Sequence, residues 1–171
     1  GHAGVPLIPR GAGTGRVGVA LGDGLVIDFS CHNRWISDFD PEQRTVRVGA
    51  GVVLDQLNQY LRPSGFCFGP DVATSSRATL GGMIANNSSG ARAPLYGTTA
   101  DHLVELEIVL ADARVFQVGP SHDTLWKQRE LLADLALFNE LRIDERFGPG
   151  LVKRWPGYGL DRVLREPDNL L

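Results

Sequence analysis

The clearest periodicity in the chain falls on Val53, Leu54, Leu57, Tyr60 and Leu61, at i, i+1, i+4, i+7 and i+8. That spacing lines one face of a helix over residues 52–61. Asp55, Gln56, Asn58 and Gln59 take the other face, and Pro63-Ser64-Gly65 stops the helix. Upstream, Leu25-Val26-Ile27-Asp28-Phe29 is a near-continuous apolar run, expected of a strand with both faces buried. Residues 35–39 and 45–48 read as shorter strands around the turn Asp40-Pro41-Glu42-Gln43, where proline pre-sets φ. Residues 103–110 alternate imperfectly but are rich in β-branched side chains, and 114–118 return as their hairpin partner. From Ser121 to Arg146 the pattern is helical, with Leu125, Leu132, Leu135, Phe138 and Leu141 at helical spacing and Ser121 or Asp123 able to cap. The charges of that segment are mixed in sign and form a solvated face. Phe147-Gly148-Pro149-Gly150 breaks it, residues 155–159 form a turn, and 160–164 form a closing helix.

Two stretches carry no such pattern. Residues 70–101 are dominated by small and hydroxyl residues, among them Thr74, Ser75, Ser76, Gly81, Gly82, Ala85, Ser88, Ser89 and Gly90. Small residues admit close backbone approach, and hydroxyls and amides supply donors and acceptors. An irregular stretch of about thirty residues is uncommon in a compact domain unless it has a job, so it reads as a wrap around a cofactor; the plainer alternative is a large surface loop. A short helix over 78–86, with Gly81 and Gly82 near its start, would aim N–H groups and the positive dipole end at an anion; the glycines could equally serve close packing. The second stretch is Pro6-Leu7-Ile8-Pro9-Arg10-Gly11-Ala12-Gly13-Thr14-Gly15, a short apolar strand entering a glycine turn whose N–H groups can nest an anion. Residues 13–18 match G-x-G-x-x-G, but Gly15, Gly18, Gly22 and Gly24 leave no helix after the glycines, and a strand follows. This is a different phosphate loop from that of the Rossmann fold.

Pro9-Arg10-Gly11-Ala12-Gly13-Thr14-Gly15, then Phe68-Gly69-Pro70-Asp71, Thr79-Leu80-Gly81-Gly82, Asn86-Asn87-Ser88-Ser89-Gly90, Tyr96-Gly97-Thr98-Thr99 and Asp101-His102, occur in that order. Together they resemble the FAD-binding domain of the vanillyl-alcohol oxidase / p-cresol methylhydroxylase superfamily, in its glycolate oxidase and D-2-hydroxyacid dehydrogenase branch. The resemblance runs from Val5 to about Val118 and resumes at 156–161. It implies an α+β fold of two small α/β lobes with FAD between them. A mostly parallel first lobe, 1–69, carries the pyrophosphate loop; a mixed or antiparallel second lobe, 70–171, carries the flavin-contacting loop and C-terminal helices. Arg10, Gly11, Ala12, Gly13, Thr14 and Gly15 would hold the pyrophosphate. Pro70, Asp71, Gly81, Gly82, Ala85, Ser88, Ser89 and Gly97 would line the flavin and its ribityl chain. Covalent members use a histidine in the pyrophosphate loop; Thr14 stands there, so the flavin is expected to be noncovalent. Members usually carry glycine where Ala113 stands, which implies a turn without positive φ at this position, or mild strain.

The same resemblance implies a parent enzyme that oxidises a small D-2-hydroxy acid with hydride transfer to FAD. Residues 82–92 look most like large bacterial members that carry an iron–sulfur region after the flavin part; a downstream iron–sulfur region or an electron acceptor is the partner this implies. The chain looks truncated at both ends, and the family's acid-recognising and base residues belong largely to a following domain, so the piece alone is expected to be inactive. Two other functions compete: a flavin domain of the sugar-nucleotide enolpyruvyl reductase type, and a non-catalytic module on the same scaffold.

Composition narrows the classes. With 171 residues, 43% hydrophobic and 22% charged, the chain suits an ordinary globular protein. A net charge of −3 gives no basic footprint for nucleic acid, and no apolar run approaches a membrane span. Cys31 and Cys67 lie far apart without metal spacing and read as reduced thiols of a cytoplasmic protein. His2, His32, His102 and His122 are scattered, which speaks against a metal site. His102, beside the small-residue stretch, reads as packing or hydrogen bonding rather than catalysis.

Overall fold

A computed structural model of the chain describes residues 4–120, 125–147 and 158–167. It divides into two compact units, 1–102 and 103–171. The expected caps Ser121 and Asp123, the Gly148-Pro149-Gly150 break and most of the 155–159 turn lie outside the described residues.

The first unit opens with a parallel pair, β1 (Leu7–Arg10) and β2 (Leu25–Asp28), in register Leu7 to Leu25 and Arg10 to Asp28. All four residues of β2 are exposed, Leu25 by 59%. That corrects the expectation of a strand buried on both faces. An unbroken apolar run reports what a strand is suited to cover, and among the described residues this sheet has two strands, of which Ile8 is the buried residue at 8%. An antiparallel pair follows, β3 (Ile36–Asp40) and β4 (Thr45–Val48). Its turn is closed by the Asp40 carboxylate, whose Oδ1 accepts the N–H of Glu42 at 2.8 Å and of Gln43 at 3.0 Å.

Helix α1 (Leu54–Leu61) buries Leu54, Leu57 and Leu61, the stripe read from the sequence, while Tyr60 stays 45% exposed. A 3₁₀ turn, Arg62–Ser64, ends on Gly65 at φ 78°. Leu54, Leu57 and Leu61 join Val52, Ala78, Leu80 and Met83 in one core, and β3, β4, Phe66, Phe68 and Val72 supply partly buried residues around it. The last two core residues belong to helix α2 (Leu80–Ala85). Backbone bonds fix α1 and α2 side by side: Leu54 N–H to Ala78 O at 3.0 Å, Leu80 N–H to Val52 O at 2.8 Å and Gly81 N–H to Ala50 O at 2.9 Å. The core therefore sets where the glycine pair of α2 stands. Helix α3 (Ala93–Tyr96) and a 3₁₀ turn, Thr99–His102, complete the unit.

The second unit holds the antiparallel hairpin β5 (Leu106–Val109) and β6 (Val115–Val118), and helices α4 (Trp126–Phe138), α5 (Glu140–Phe147) and α6 (Leu160–Arg165). The helical segment is two helices, parted at Asn139, whose side-chain amide donates to Leu135 O at 2.9 Å. Its apolar stripe does not form the interior. Phe138 and Leu141 are 89% and 85% exposed, and the buried residues are Ala136 and Ile143. On α4 it is the small side chain of Ala136 that is fully buried. The architecture is an α+β fold with one parallel and two antiparallel pairs.

The β5–β6 turn places Ala113 at φ 66°. Of the two outcomes open from the sequence, strain is the one found, because Cβ crowds the following carbonyl in left-handed backbone. Replacing Ala113 by Gly removes that crowding but adds freedom to the unfolded chain. We expect A113G to leave thermal stability equal or up to about 1 kcal/mol higher, measured by denaturant titration; a clear loss would contradict the strain.

Candidate functional site

The first cluster forms where the glycine turn after β1 meets the start of α2. Gly11 lies directly against the Thr79 side chain: a Cβ on Gly11 would collide with Thr79 Oγ1. Gly82 approaches the same oxygen, with 3.3 Å between its would-be Cβ and Oγ1. Gly13 has φ 66°, left-handed backbone that favours glycine, and a Cβ there would stand 3.2 Å from Nη2 of the Arg10 guanidinium. Arg10 ends β1 and pairs in register with Asp28, whose carboxyl is held below its usual range by the Ser30 hydroxyl and N–H. Gly81 acts as a spacer: a Cβ there would stand 2.7 Å from that of Ala50. The N–H groups of Leu80 and Gly81 are already given to Val52 and Ala50. The anion-directed donors expected at the start of α2 are thus partly spent on building the core, and for Gly81 the packing alternative is realised.

The second cluster lies beyond the end of α2. Ser88 N–H donates to Met83 O, and Ser88 O accepts both the N–H and the hydroxyl of Thr99, at 2.9 and 2.7 Å. Asn87, at φ 43°, accepts the Ala100 N–H through its amide oxygen at 2.9 Å. Gly97 combines φ 74° with ψ −159°, a conformation essentially confined to glycine, and a Cβ there would press on Asp101 Oδ2 at 2.6 Å. That oxygen accepts the N–H and hydroxyl of Thr98. Pro70 is buried, and Asp71 holds Arg92 by an Nε–Oδ2 contact of 2.7 Å. The hydrogen bond from Arg92 pulls the Asp71 carboxyl below its usual range and raises the guanidinium in turn. A depressed carboxyl keeps its stabilising charge above the ordinary aspartate range and loses it only as pH falls through the lowered value, so the pair is intact at neutral pH. Arg92 also stacks over Tyr96 at 5.1 Å. A Cβ on Gly90 would collide with Asp71 Oδ1, an oxygen that is buried without a partner.

The residues singled out from the sequence therefore fall into two groups that α2 joins: Arg10, Gly11 and Gly13 at its start, and Pro70, Asp71, Ser88, Ser89 and Gly97 beyond its end. Ala12 is half-buried, whereas Thr14, Gly15 and Ala85 are exposed. Gly15 meets nothing closer than Val19 at 4.0 Å. His102 packs against Phe68 with the rings tilted and their centroids 5.2 Å apart, and its Nε2 bonds Tyr96 O at 2.7 Å, a packing role. Thr79, Gly90, Arg92 and Asp101 were not in the sequence-derived set. All four stand inside or next to its motifs; the pairings of Thr79 with Gly11 and of Asp71 with Gly90 and Arg92 join residues distant in the chain, about which periodicity carries no information, whereas Asp101 closes a local turn with Thr98. Cys31 and Cys67 are exposed free thiols. Among the described residues no three His, Cys, Asp or Glu side chains gather as a metal site, and no helix is long and apolar enough to cross a membrane.

Comparison with known proteins shows the family. A family model described as FAD binding domain matches residues 1–119. D-2-hydroxyglutarate dehydrogenase of Escherichia coli is 47% identical over 112 residues, 66% of this chain and 11% of that protein. Glycolate oxidase subunit GlcD of Bacillus subtilis is 35% identical over 117 residues, 67% of this chain and 24% of that one. The chain thus spans between about a tenth and a quarter of the curated relatives it matches. Among solved structures, 6-hydroxy-D-nicotine oxidase of Arthrobacter nicotinovorans superposes with a TM-score of 0.61 at 21% identity, covering 70% of this chain and 26% of that one, a likeness of fold. The glycine turn, the Thr-Leu-Gly-Gly helix start and the small-residue loop fall inside the matched region, and the chain belongs to the FAD binding domain family.

Proposed function

We propose that residues 10–15 and 70–97 are the cofactor face of a flavin-dependent oxidoreductase whose substrate is a small D-2-hydroxy acid. The observation that carries the reading is the contact of Gly11 with Thr79, which brings a glycine turn and a glycine-led helix together around a hydroxyl with no partner. FAD fits what these residues offer: a cradle that a Cβ at position 11 or 13 would fill, a cation at Arg10, and an orphaned polar atom behind them. When bound, FAD supplies the two-electron acceptor. Arg10 and the backbone of 11–15 hold the diphosphate, for which the one phosphate of FMN is a poor substitute. Pro70, Asp71, Gly82, Ser88, Ser89 and Gly97 shape the flavin side, and the Asp71–Arg92 pair holds that loop in place. Thr14 offers no imidazole, so the flavin is held without a covalent bond. The two exposed thiols favour a reducing compartment, the cytoplasm.

Support for the substrate class comes from the relatives, which are dehydrogenases of D-2-hydroxyglutarate and D-lactate and a glycolate oxidase subunit. The test is to load the full-length protein with FAD and add D-2-hydroxyglutarate, D-lactate or glycolate without air. We expect FAD to bind more tightly than FMN, to separate from the polypeptide on denaturation, and to lose its visible absorbance with at least one of these acids. Equal affinity for FMN would overturn the diphosphate reading, and an unbleached flavin would overturn the substrate class.

A further inference from the structure

Helix α4 turns small side chains inward and large ones outward. Its covered positions include Arg129, Ala133 and Ala136, spaced i, i+4 and i+7, and Ala136 is fully buried. Leu131, Leu135 and Phe138 repeat that spacing two residues on, which places them about half a turn away, on the opposite face. They are 69%, 49% and 89% exposed, and Leu132 widens their stripe. A surface helix ordinarily buries its large apolar stripe, and a contiguous exposed one marks a site of association. The charges point to the partner. Lys127 lies in the first turn of α4, its ammonium over the Trp126 ring at 5.3 Å, and Asp134 follows seven residues on. Both flank the stripe on the same side, and among the described residues neither has an ion pair. The first turn holds no acid and the last turn no base, so both ends of the α4 dipole lack the charge that favours them.

We propose that this outward face of α4 is an interface with a second copy of the protein, the two α4 helices packed antiparallel about a two-fold axis near Leu132. Such an interface uses the same patch on both copies, so the patch must complement itself. This one does. With the axis at the helix midpoint, Leu131 of one copy meets Leu131 of the other, and Phe138 lies over the other's first turn. Lys127 of each copy then stands about 5 Å along the axis from Asp134 of the other, whereas the two lie about 10 Å apart along one helix. The same arrangement sets the Lys127 cation beside the negative end of the other α4, where the dipole favours it. Covering the stripe and its flanks on both copies removes roughly 1,000 Å² from water, about the least that a specific pair needs. The apolar centre with paired charges at its rim is the usual order of such a contact. The inference is independent of the cofactor reading.

The test is sedimentation equilibrium of the full-length protein, wild type and four variants: Phe138→Glu, Lys127→Glu, Asp134→Lys and the double K127E/D134K. All three positions are exposed, so folding should survive, which circular dichroism checks. We expect the wild type to sediment with an even number of chains. F138E should raise the dissociation constant of the pair at least ~100-fold, since it sets a carboxylate in the apolar centre. K127E and D134K should each raise it about tenfold by placing like charges together, and the double variant should return to within about threefold of the wild type. Recovery by reversing both charges reports a pairing between chains, which a loss of folding would not produce. A wild type of single-chain mass at every concentration would overturn the inference and mean that the stripe is covered within one chain or left bare. An F138E protein that associates like the wild type would overturn it as well, as would single charge variants without effect or a double variant no tighter than either.

Discussion

Replacing Gly13 by Asp is expected to weaken FAD binding by at least ~100-fold while leaving the protein folded. Position 13 has φ 66°, and a Cβ there would stand 3.2 Å from the Arg10 guanidinium. An aspartate carboxylate would reach that guanidinium and occupy the place of the ligand's anion. Two charges about 4 Å apart near a protein surface interact by roughly 4 kcal/mol, here with the sign reversed for a diphosphate. Left-handed backbone adds about 1–2 kcal/mol against any side chain. Gly13→Ala separates the two effects, since it carries the backbone strain without the charge, and should cost about tenfold. Folding should survive in both, because the turn is exposed at Gly13 and the new carboxylate gains Arg10 as a partner. Fluorescence titration of FAD with the three proteins measures the difference. If G13D and G13A bind alike, charge at this position does not matter and the turn is not the diphosphate site.

The elements most legible in the sequence are those whose order is local. The stripe Leu54, Leu57 and Leu61 gives the helix and its buried face together, because a 3.6-residue period is a property of the segment itself. The Asp40-Pro41 turn is equally local, and Asp40 closes it with its own carboxylate. Burial was less legible. The apolar run at 25–28 is exposed, and so are Phe138 and Leu141, since whether an apolar side chain is covered depends on which neighbour the fold supplies. In the candidate site the motifs mark the backbone that approaches closely but not what it approaches. Gly11, Gly81, Gly90 and Gly97 were visible as glycines, and Asp71 as a candidate of its own; that Thr79, Ala50, Asp71 and Asp101 are the groups that forbid a side chain at each was not. Ala113 shows the limit from the other side, because a residue that departs from the family pattern still takes the backbone conformation the turn imposes.

The small-residue loop depends most on Gly90. It is buried, and a Cβ there would collide with Asp71 Oδ1 and stand 2.6 Å from the Asp71 carbonyl oxygen and 2.7 Å from its carbon. The side chain could swing away, but the backbone of Asp71 cannot, because Pro70 before it is fully buried. Gly90→Ala must then push residues 89–91 off Asp71, and the Arg92 contact that closes the loop goes with them. Overpacking of this kind costs about 1–3 kcal/mol. The expected result is a stability loss near the upper end of that range, with flavin retention falling along with it. Two controls locate the cause. Ala91→Ser, at an exposed neighbour, should stay within about 0.5 kcal/mol of the wild type. Arg92→Lys keeps a positive charge but cannot reproduce the Nε–Oδ2 geometry, and should weaken flavin retention while costing less stability than G90A, since Asp71 and Arg92 are both partly solvated. Urea titration and the flavin absorbance of the purified proteins measure both quantities. A G90A variant as stable as the wild type would mean that the loop does not rest on Asp71, and that the order of residues 86–101 comes from its other bonds, Ser88–Thr99, Asn87–Ala100 and Thr98–Asp101 among them.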